Sequence, residues 1–170
     1  MFKKFAVAAA LAAIASSAFA AGPTGFYGGV DAGSTHVDNV NVHGTSFGAL
    51  MGYGVNPNVA FEFGYRRLGT WDVYGGGFDG GTVKIDQIQL TVVGSYPLTP
   101  QLDIFGRGGF NDLSTEWSAR GRTYNPDSKG GTLYGVGLAY HFTPTVSGRV
   151  EFQKPSSDST NFSLGVVVKF

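Results

Sequence analysis

The chain has 170 residues, of which 12 are basic and 12 acidic, so its net charge is near zero. That balance argues against nucleic acid or an anionic membrane surface as the partner, since either would favour a strongly basic chain. Cysteine is absent, which excludes a disulfide framework, thiolate chemistry, a cysteine zinc site and a lipid-anchored N-terminal cysteine.

The N-terminus has the pattern of a secretory signal peptide. Two lysines lie in the first four residues, an alanine-rich apolar run covers residues 5–14, and Ala-Phe-Ala occupies 18–20. The run is shorter than the roughly 20 residues that cross a bilayer as a helix, which argues against a membrane anchor. We therefore predict that residues 1–20 are a signal peptide cleaved after Ala20. Residues 21–170 then form one domain, with ten basic and twelve acidic residues and a net charge of about −2.

The predicted domain shows no helical period of useful length, and what recurs is the alternation of apolar and polar residues expected of a β-strand. The clearest example runs from Gln87 to Tyr96, where one face is apolar and the other mostly polar. The same alternation predicts seven further strands. In chain order, the eight predicted strands cover residues 26–33, 46–53, 59–66, 87–96, 102–111, 134–142, 146–153 and 162–170.

The connections between these strands alternate between short and long. Three short ones share a tyrosine followed four residues later by a proline, at Pro57, Pro100 and Pro144. Proline cannot continue a hydrogen-bonded ladder, so these segments predict tight hairpins at one end of the sheet. The other connections, at roughly 34–45, 68–82, 111–131 and 154–161, are rich in Gly, Ser, Thr, Asn and Asp. The long connections are therefore expected at the opposite end.

An antiparallel sheet of eight strands with one apolar face fits either a soluble ligand-binding barrel or an outer-membrane barrel. Side-chain size favours the second. The polar face is dominated by Gly, Ala and Ser, which suit a narrow interior, whereas aromatic residues gather near the strand ends of the apolar face. Two aromatic girdles around an aliphatic band are typical of a bilayer-spanning barrel. The predicted girdle residues are Tyr53, Tyr96, Tyr140, Phe142 and Phe170 at the short-turn end, and Phe47, Tyr65, Phe110, Tyr134 and Phe162 near the long connections.

Three stretches resemble successive strands and turns of the transmembrane domain of the major bacterial outer-membrane protein A family. They read GYGVNPNVAFEFGYRRLG, LTVVGSYPLTPQLDIFGRGGF and FSLGVVVKF, and the resemblance extends from Phe26 to Phe170. It implies an eight-stranded antiparallel transmembrane up-and-down barrel. The chain stops at Phe170, so we expect it to lack the periplasmic peptidoglycan-binding domain and to resemble the small opacity-protein and outer-membrane-protein-X relatives in build. A terminal phenylalanine also resembles the signal by which such barrels are recognised for assembly.

In that family a glutamate on strand three pairs with an arginine on strand seven inside the barrel and is thought to gate a narrow pore. The resemblance places the glutamate at Glu62 and the arginine at Arg149. The family's alternative partners, a lysine and a second glutamate, fall at Val93 and Ala139. Because both are replaced together, a switch between two ion pairs is not expected here.

Strand alternation independently places Glu62 and Arg149 on the inward face. The predicted interior charge network consists of Glu62, Arg149, Arg66, Arg107, Glu151 and Asp31. It has a structural interpretation, in which paired charges fill a lumen too narrow for bulk water, and a functional one, in which they form a gate for small solutes. We favour the structural interpretation, because an eight-stranded barrel is only wide enough for side chains.

The predicted function is that of an integral protein of the Gram-negative outer membrane, serving envelope structure and adhesion-type surface interaction through its long loops. A narrow low-conductance pore gated by Glu62 and Arg149 is the alternative. A small-barrel lipid-modifying enzyme is a second one. It would use His36 or His43 with a nearby serine and carboxylate, for which the candidates are Ser34, Ser46, Asp31 and Asp38. No spacing there fixes a catalytic triad. We therefore expect no enzyme activity, cofactor or metal. The expected partners are outer-membrane lipids including lipopolysaccharide, periplasmic chaperones, the barrel-assembly machinery and host ligands at the loops, with the protein a monomer.

Overall fold

The computed structural model describes residues 24–37, 42–73, 81–119, 122–124, 129–156 and 159–170, so the predicted signal peptide lies outside the described residues. Those ranges contain no helix long and apolar enough to cross a membrane. Their regular structure consists of strands alone: β1 (Gly25–Val37), β2 (Val42–Asn56), β3 (Val59–Val73), β4 (Gly81–Thr99), β5 (Leu102–Ala119), β6 (Arg122–Tyr124), β7 (Lys129–His141), β8 (Val146–Ser156) and β9 (Ser159–Lys169).

The strands close into a barrel. β1 to β5 pair with one another in sequence order, β5 pairs with β7, and β7, β8 and β9 continue the antiparallel sheet. Closure comes from β1, which pairs with β9 over residues 27–37. β6 is a three-residue strand paired only with the end of β5, at Ala119 to Trp117. The barrel proper therefore has eight strands, which confirms the predicted fold class.

The alternation in the sequence becomes the inside and outside of this barrel. Most inward positions carry small or polar side chains, whereas most large aliphatic and aromatic residues lie exposed on the outer surface. All ten predicted girdle aromatics are among these exposed residues. Some pack against neighbours on the same face, such as Tyr140 against Phe142 with ring centroids 5.2 Å apart. An apolar exterior around a polar interior is the arrangement that lipid, and not water, stabilises.

The three proline-containing connections are tight turns, as predicted. Asn56 holds the first, where its side-chain oxygen accepts hydrogen bonds from the backbone N–H groups of Asn58 and Val59. The hydroxyls of Thr99 and Thr143 do the same in the second and third, for the N–H groups of Leu102 and Val146. Side chains thus satisfy backbone donors that the ladder leaves unpaired at this end.

The strands on one side of the barrel are longer than predicted. β3, β4 and β5 have 15, 19 and 18 residues, so much of the predicted connections 68–82 and 111–131 is strand. The predicted connections 34–45 and 154–161 are also largely strand, since β1, β2, β8 and β9 extend into them. A bulge interrupts β3 between Arg67 and Gly69. Beyond the bilayer both faces of a sheet meet water, so the alternation that reveals a strand inside the membrane disappears. The prediction of long loops there was wrong for this reason.

Candidate functional site in the barrel interior

The six charged residues predicted for the interior all come from inward positions of the barrel, and the structure brings them together in two groups. The first surrounds Glu62 of β3, whose side chain is 1% exposed. Its Oε1 accepts hydrogen bonds from Tyr27 Oη at 2.7 Å and from Arg149 Nη1 at 2.6 Å. Its Oε2 lies 2.8 Å from Arg107 Nη2. One carboxylate therefore joins β1, β5 and β8 to β3 across the lumen.

A glycine makes room for this arrangement. Gly52 on β2 lies directly opposite Glu62. A Cβ atom at Gly52 would lie 2.3 Å from Cζ of Tyr27, well inside contact distance. Any larger residue would push the Tyr27 ring away from Glu62. The glycine-rich inner face predicted from sequence thus has a specific use, because it lets long side chains from other strands reach the centre.

The second group lies nearer the long connections and is centred on Arg66. Its guanidinium lies 3.0 Å from Asp31 and donates to the side-chain oxygens of Gln153 and, at 2.7 Å, Asn161. Gln153 in turn donates to Gln89 at 2.7 Å. Amide side chains therefore extend the ion pair into a layer that spans the barrel.

Arg107 extends the first group toward the second, since its Nη2 lies 2.8 Å from Glu62 and its Nε lies 2.8 Å from Glu151, which is two residues before Gln153 on β8. Counted over the described inward residues of these two groups, the carboxylates of Asp31, Glu62 and Glu151 face the guanidinium groups of Arg66, Arg107 and Arg149. The network is neutral overall, which is what a buried charged layer requires.

At the positions where the family has a lysine and a second glutamate, this chain has apolar side chains that lie inside the barrel. Val93 and Ala139 are buried in a cluster with Tyr27 and Phe105. The Arg149 guanidinium lies 5.5 Å from the Tyr27 ring centroid and 5.2 Å from that of Phe105. Arg149 therefore lies beside two aromatic rings, and Ala139 offers it no second carboxylate. This also explains why Phe105 interrupts the alternation in the sequence, because it is an inward-facing apolar residue.

The lumen is wide on the short-turn side of Arg149 and narrow on the other side. A cavity of about 460 Å³ lies at the short-turn end and reaches inward as far as Arg149. A void bordered by Asp31, Arg149 and Glu151 has about 10 Å³. A space of that size is at the limit of what one water molecule needs. The interior is thus a vestibule that ends at the charge network.

The residues considered for a loop enzyme are not assembled. Ser34 and His36 occupy outward positions of β1 whereas Asp31 faces inward, and the side chain of His43 lies outside the described part of the chain. The described residues contain no group of three or more His, Cys, Asp or Glu that could hold a metal ion. Sequence reasoning missed Tyr27 and Gln153, although alternation puts both on the inward face, because an uncharged side chain does not need an ion-pair partner. It also missed Asn161, which falls in the predicted connection 154–161 but lies on β9.

The sequence matches the family described as outer membrane protein beta-barrel domain over residues 6–170. It is 32% identical over 149 residues to the outer membrane protein A of Escherichia coli O157:H7, and this match covers 81% of the chain and 41% of that protein. The chain therefore spans well under half the length of this relative. The family resemblance inferred from the sequence is confirmed.

Solved outer-membrane barrels have the same fold. The structure matches Neisserial surface protein A with a TM-score of 0.71 and 19% identity, covering 88% of this chain and 99% of that one. Ail, the attachment invasion locus protein of Yersinia pestis, in complex with the heparin analogue sucrose octasulfate, matches with a TM-score of 0.60 and 14% identity over 88% and 99% of the two chains. With the apolar exterior, these matches overturn the soluble-barrel alternative. The chain belongs to the outer membrane protein beta-barrel family, and it is a barrel of the bacterial outer membrane.

Proposed function

We propose that the protein is a structural barrel with a closed lumen, and that it acts on other molecules through the strands and connections on the cell surface. The charge network supports the closed lumen. Glu62, Arg107 and Arg149 cross the barrel at one level, and Arg66 with its amide partners crosses it at the next. Two consecutive layers of paired side chains support a closed lumen.

Planar-bilayer recording tests the closed lumen. We expect the wild-type barrel to give no discrete conductance steps in 1 M KCl. The double substitution Glu62→Ala with Arg149→Ala removes an ion pair without leaving an isolated charge from that pair, and a further Arg66→Ala removes the second layer. Conductance should appear only when both layers are removed. Regular single-channel steps from the wild-type protein would refute the proposal.

The runner-up function is a narrow pore gated by Glu62 and Arg149, and one observation favours it. The vestibule reaches Arg149 from the short-turn end, so this arginine lies where a gate would meet the solute. The charge network argues against it, because Val93 gives Glu62 no second cation and Ala139 gives Arg149 no second carboxylate. The same recordings decide between the two, since a gate predicts conductance from the wild type.

The surface role is supported by the long strands on one side of the barrel. Beyond Tyr65 and Ile88, the paired strands β3 and β4 continue as far as Val73 and Gly81. Seven residues from Gly81 to Gln87 correspond to roughly 20 Å of strand at about 3.3 Å per residue. β5 and β6 extend beside them on the same side of the barrel, and we call this part, from β3 to β6, the raised edge. In outer-membrane barrels short turns face the periplasm, so this edge projects from the cell surface.

The chain offers a matched pair of variants to test the raised edge. Thr70 on β3 lies opposite Lys84 on β4, so residues 71–83 can be replaced by a two-residue Asn-Gly turn that joins them. Val37 on β1 lies opposite Val42 on β2, so replacing residues 38–41 by the same turn is the control. Cells carrying each variant are screened against matrix proteins, serum proteins and heparin. Loss of binding with the first variant alone supports the edge as the binding surface, whereas equal binding by both would refute it.

The proposed surroundings follow from this placement. The outer aliphatic band contacts acyl chains of outer-membrane lipids, with lipopolysaccharide in the outer leaflet, and the girdle aromatics lie at the two interfaces. Export requires periplasmic chaperones and the barrel-assembly machinery, and we propose a monomer. We also propose no catalytic role for the surface connections, since Ser34 and His36 face away from Asp31.

A further inference from the structure

A chain of three hydrogen-bonded side chains lies at the short-turn end, in a part of the barrel that the proposed function does not use. His141, the last residue of β7, pairs directly with Ser147 of β8. Its Nδ1 lies 2.7 Å from Ser147 Oγ, and its Nε2 lies 2.8 Å from Asp103 Oδ2 on β5. Serine, histidine and aspartate thus form one continuous relay across three neighbouring strands.

The order of the bonds suits one assignment of roles. Asp103 is 2% exposed, and a carboxylate that only accepts hydrogen bonds pairs with the His141 tautomer that carries its proton on Nε2. In that tautomer Nδ1 accepts the hydrogen bond from the Ser147 hydroxyl. These are the relations of nucleophile, base and orienting acid in a serine hydrolase. The two ring nitrogens are exchanged relative to that template, but the direction of proton transfer is the same.

The relay borders a space large enough for a substrate. Asp103, His141 and Ser147 all line the 460 Å³ cavity that opens at the short-turn end. That volume lies within the range of about 300–1,000 Å³ found for small-molecule sites. Arg149 and Lys169 line the same cavity, as does the ring of Phe105. Because Arg149 is paired with Glu62, Lys169 is the cation left for a ligand, and a cation beside an apolar wall favours a substrate that has an anionic group and an acyl chain.

We propose that Ser147 is an activated nucleophile that accepts acyl groups from anionic esters entering at the short-turn end. Ser147 Oγ forms a bond to the ester carbonyl carbon while His141 Nδ1 takes the hydroxyl proton. The bond from that carbon to the leaving oxygen breaks, and His141 returns the proton to the leaving alcohol. A water molecule then cleaves the acyl-serine by the same proton transfers, which restores the hydroxyl and releases the acid.

The test uses a biotinylated alkyl fluorophosphonate on the mature barrel folded in detergent micelles. Attack by Ser147 Oγ forms an O–P bond and displaces fluoride, and mass spectrometry identifies the labelled peptide. We expect Ser147→Ala to abolish the label and His141→Gln to slow labelling by about 100-fold, in the range that a general base contributes. His36→Gln and Ser163→Ala, a histidine and an inward serine outside the cavity, should label like the wild type. Absence of label from the folded wild type, or equal labelling of His141→Gln, would overturn the proposal.

A second measurement tests the activation of position 147 even if Ser147→Ala does not fold. The chain has no cysteine, so Ser147→Cys introduces a unique thiol beside His141. We expect iodoacetamide to alkylate this thiol faster than that of the exposed control Ser114→Cys, because an imidazole base raises the fraction of thiolate. The advantage should disappear when His141→Gln is added. A rate at or below the control, in a barrel folded by circular dichroism, would exclude activation of this position.

Discussion

Removing the carboxylate of Glu62 is the sharpest test of how the interior is held together. Glu62→Ala takes away the partner of Arg149 at 2.6 Å, of Arg107 at 2.8 Å and of the Tyr27 hydroxyl at 2.7 Å. Breaking a buried ion pair by removing one member costs roughly 3–5 kcal/mol, because the other charge stays buried. Arg107 keeps Glu151, and Arg149 borders the vestibule, so the ion-pair loss should fall near the lower end. Losing the tyrosine bond, which is made to a charged group, adds about 1.5 kcal/mol. We expect a total near 4.5 kcal/mol.

Denaturant unfolding in micelles measures this free energy, and a double-mutant cycle isolates the pair. Once Glu62 is gone, adding Arg149→Ala removes a stranded charge. The double variant should therefore be at least about 1.5 kcal/mol more stable than the sum of the two single changes predicts. The control combines Glu62→Ala with Arg67→Ala, because Arg67 pairs with Asp86 on the outer surface. That cycle should be additive within about 0.5 kcal/mol. A Glu62–Arg149 coupling equally small would refute the pairing.

Two further predictions use neighbouring features of the same lumen. Gly109→Ala should destabilise the barrel by about 1–3 kcal/mol in the same unfolding assay, because its Cβ would lie 2.1 Å from the backbone oxygen of Leu90. Gly108→Ala is the matched control, since nothing lies within 4 Å of its Cβ, and a comparable loss there would contradict the steric argument. Tyr27→Phe keeps the ring beside Arg149 but removes the hydroxyl bonded to Glu62, and we expect a loss of about 1.5–3 kcal/mol. An unchanged unfolding midpoint would show that this hydrogen bond contributes nothing.

The alternation of residue types was sufficient to predict the eight barrel strands and the inward face of Glu62 and Arg149. It worked because inside and outside differ chemically at every second residue of a membrane strand. It failed for residues 69–73 and 81–85, where the paired strands of the raised edge carry no such contrast. Phe105 breaks the alternation for a different reason, because this apolar ring faces inward and packs near the guanidinium of Arg149.

The partners within the lumen were harder to predict than its faces. Glu62 bonds to Arg107 as well as to Arg149, and Arg66 pairs with Asp31. The stagger between strands decides which inward residues meet across the barrel. The spacing of residues along one strand does not reveal that stagger. The relay from Asp103 through His141 to Ser147 was missed for the same reason, since it joins three strands whose relative register only the closed sheet fixes.

The carboxylate of Glu62 also has a mechanical consequence. Tyr27, Arg107 and Arg149 reach it from β1, β5 and β8, so bonds run from one hub on β3 to three other points around the circumference. Each of these contacts crosses part of the lumen, so it resists separation of the two strands that it joins. Without cysteine, the wall has no covalent cross-link to resist lateral pressure from the bilayer. We therefore expect the contacts of Glu62 to make the barrel harder to deform.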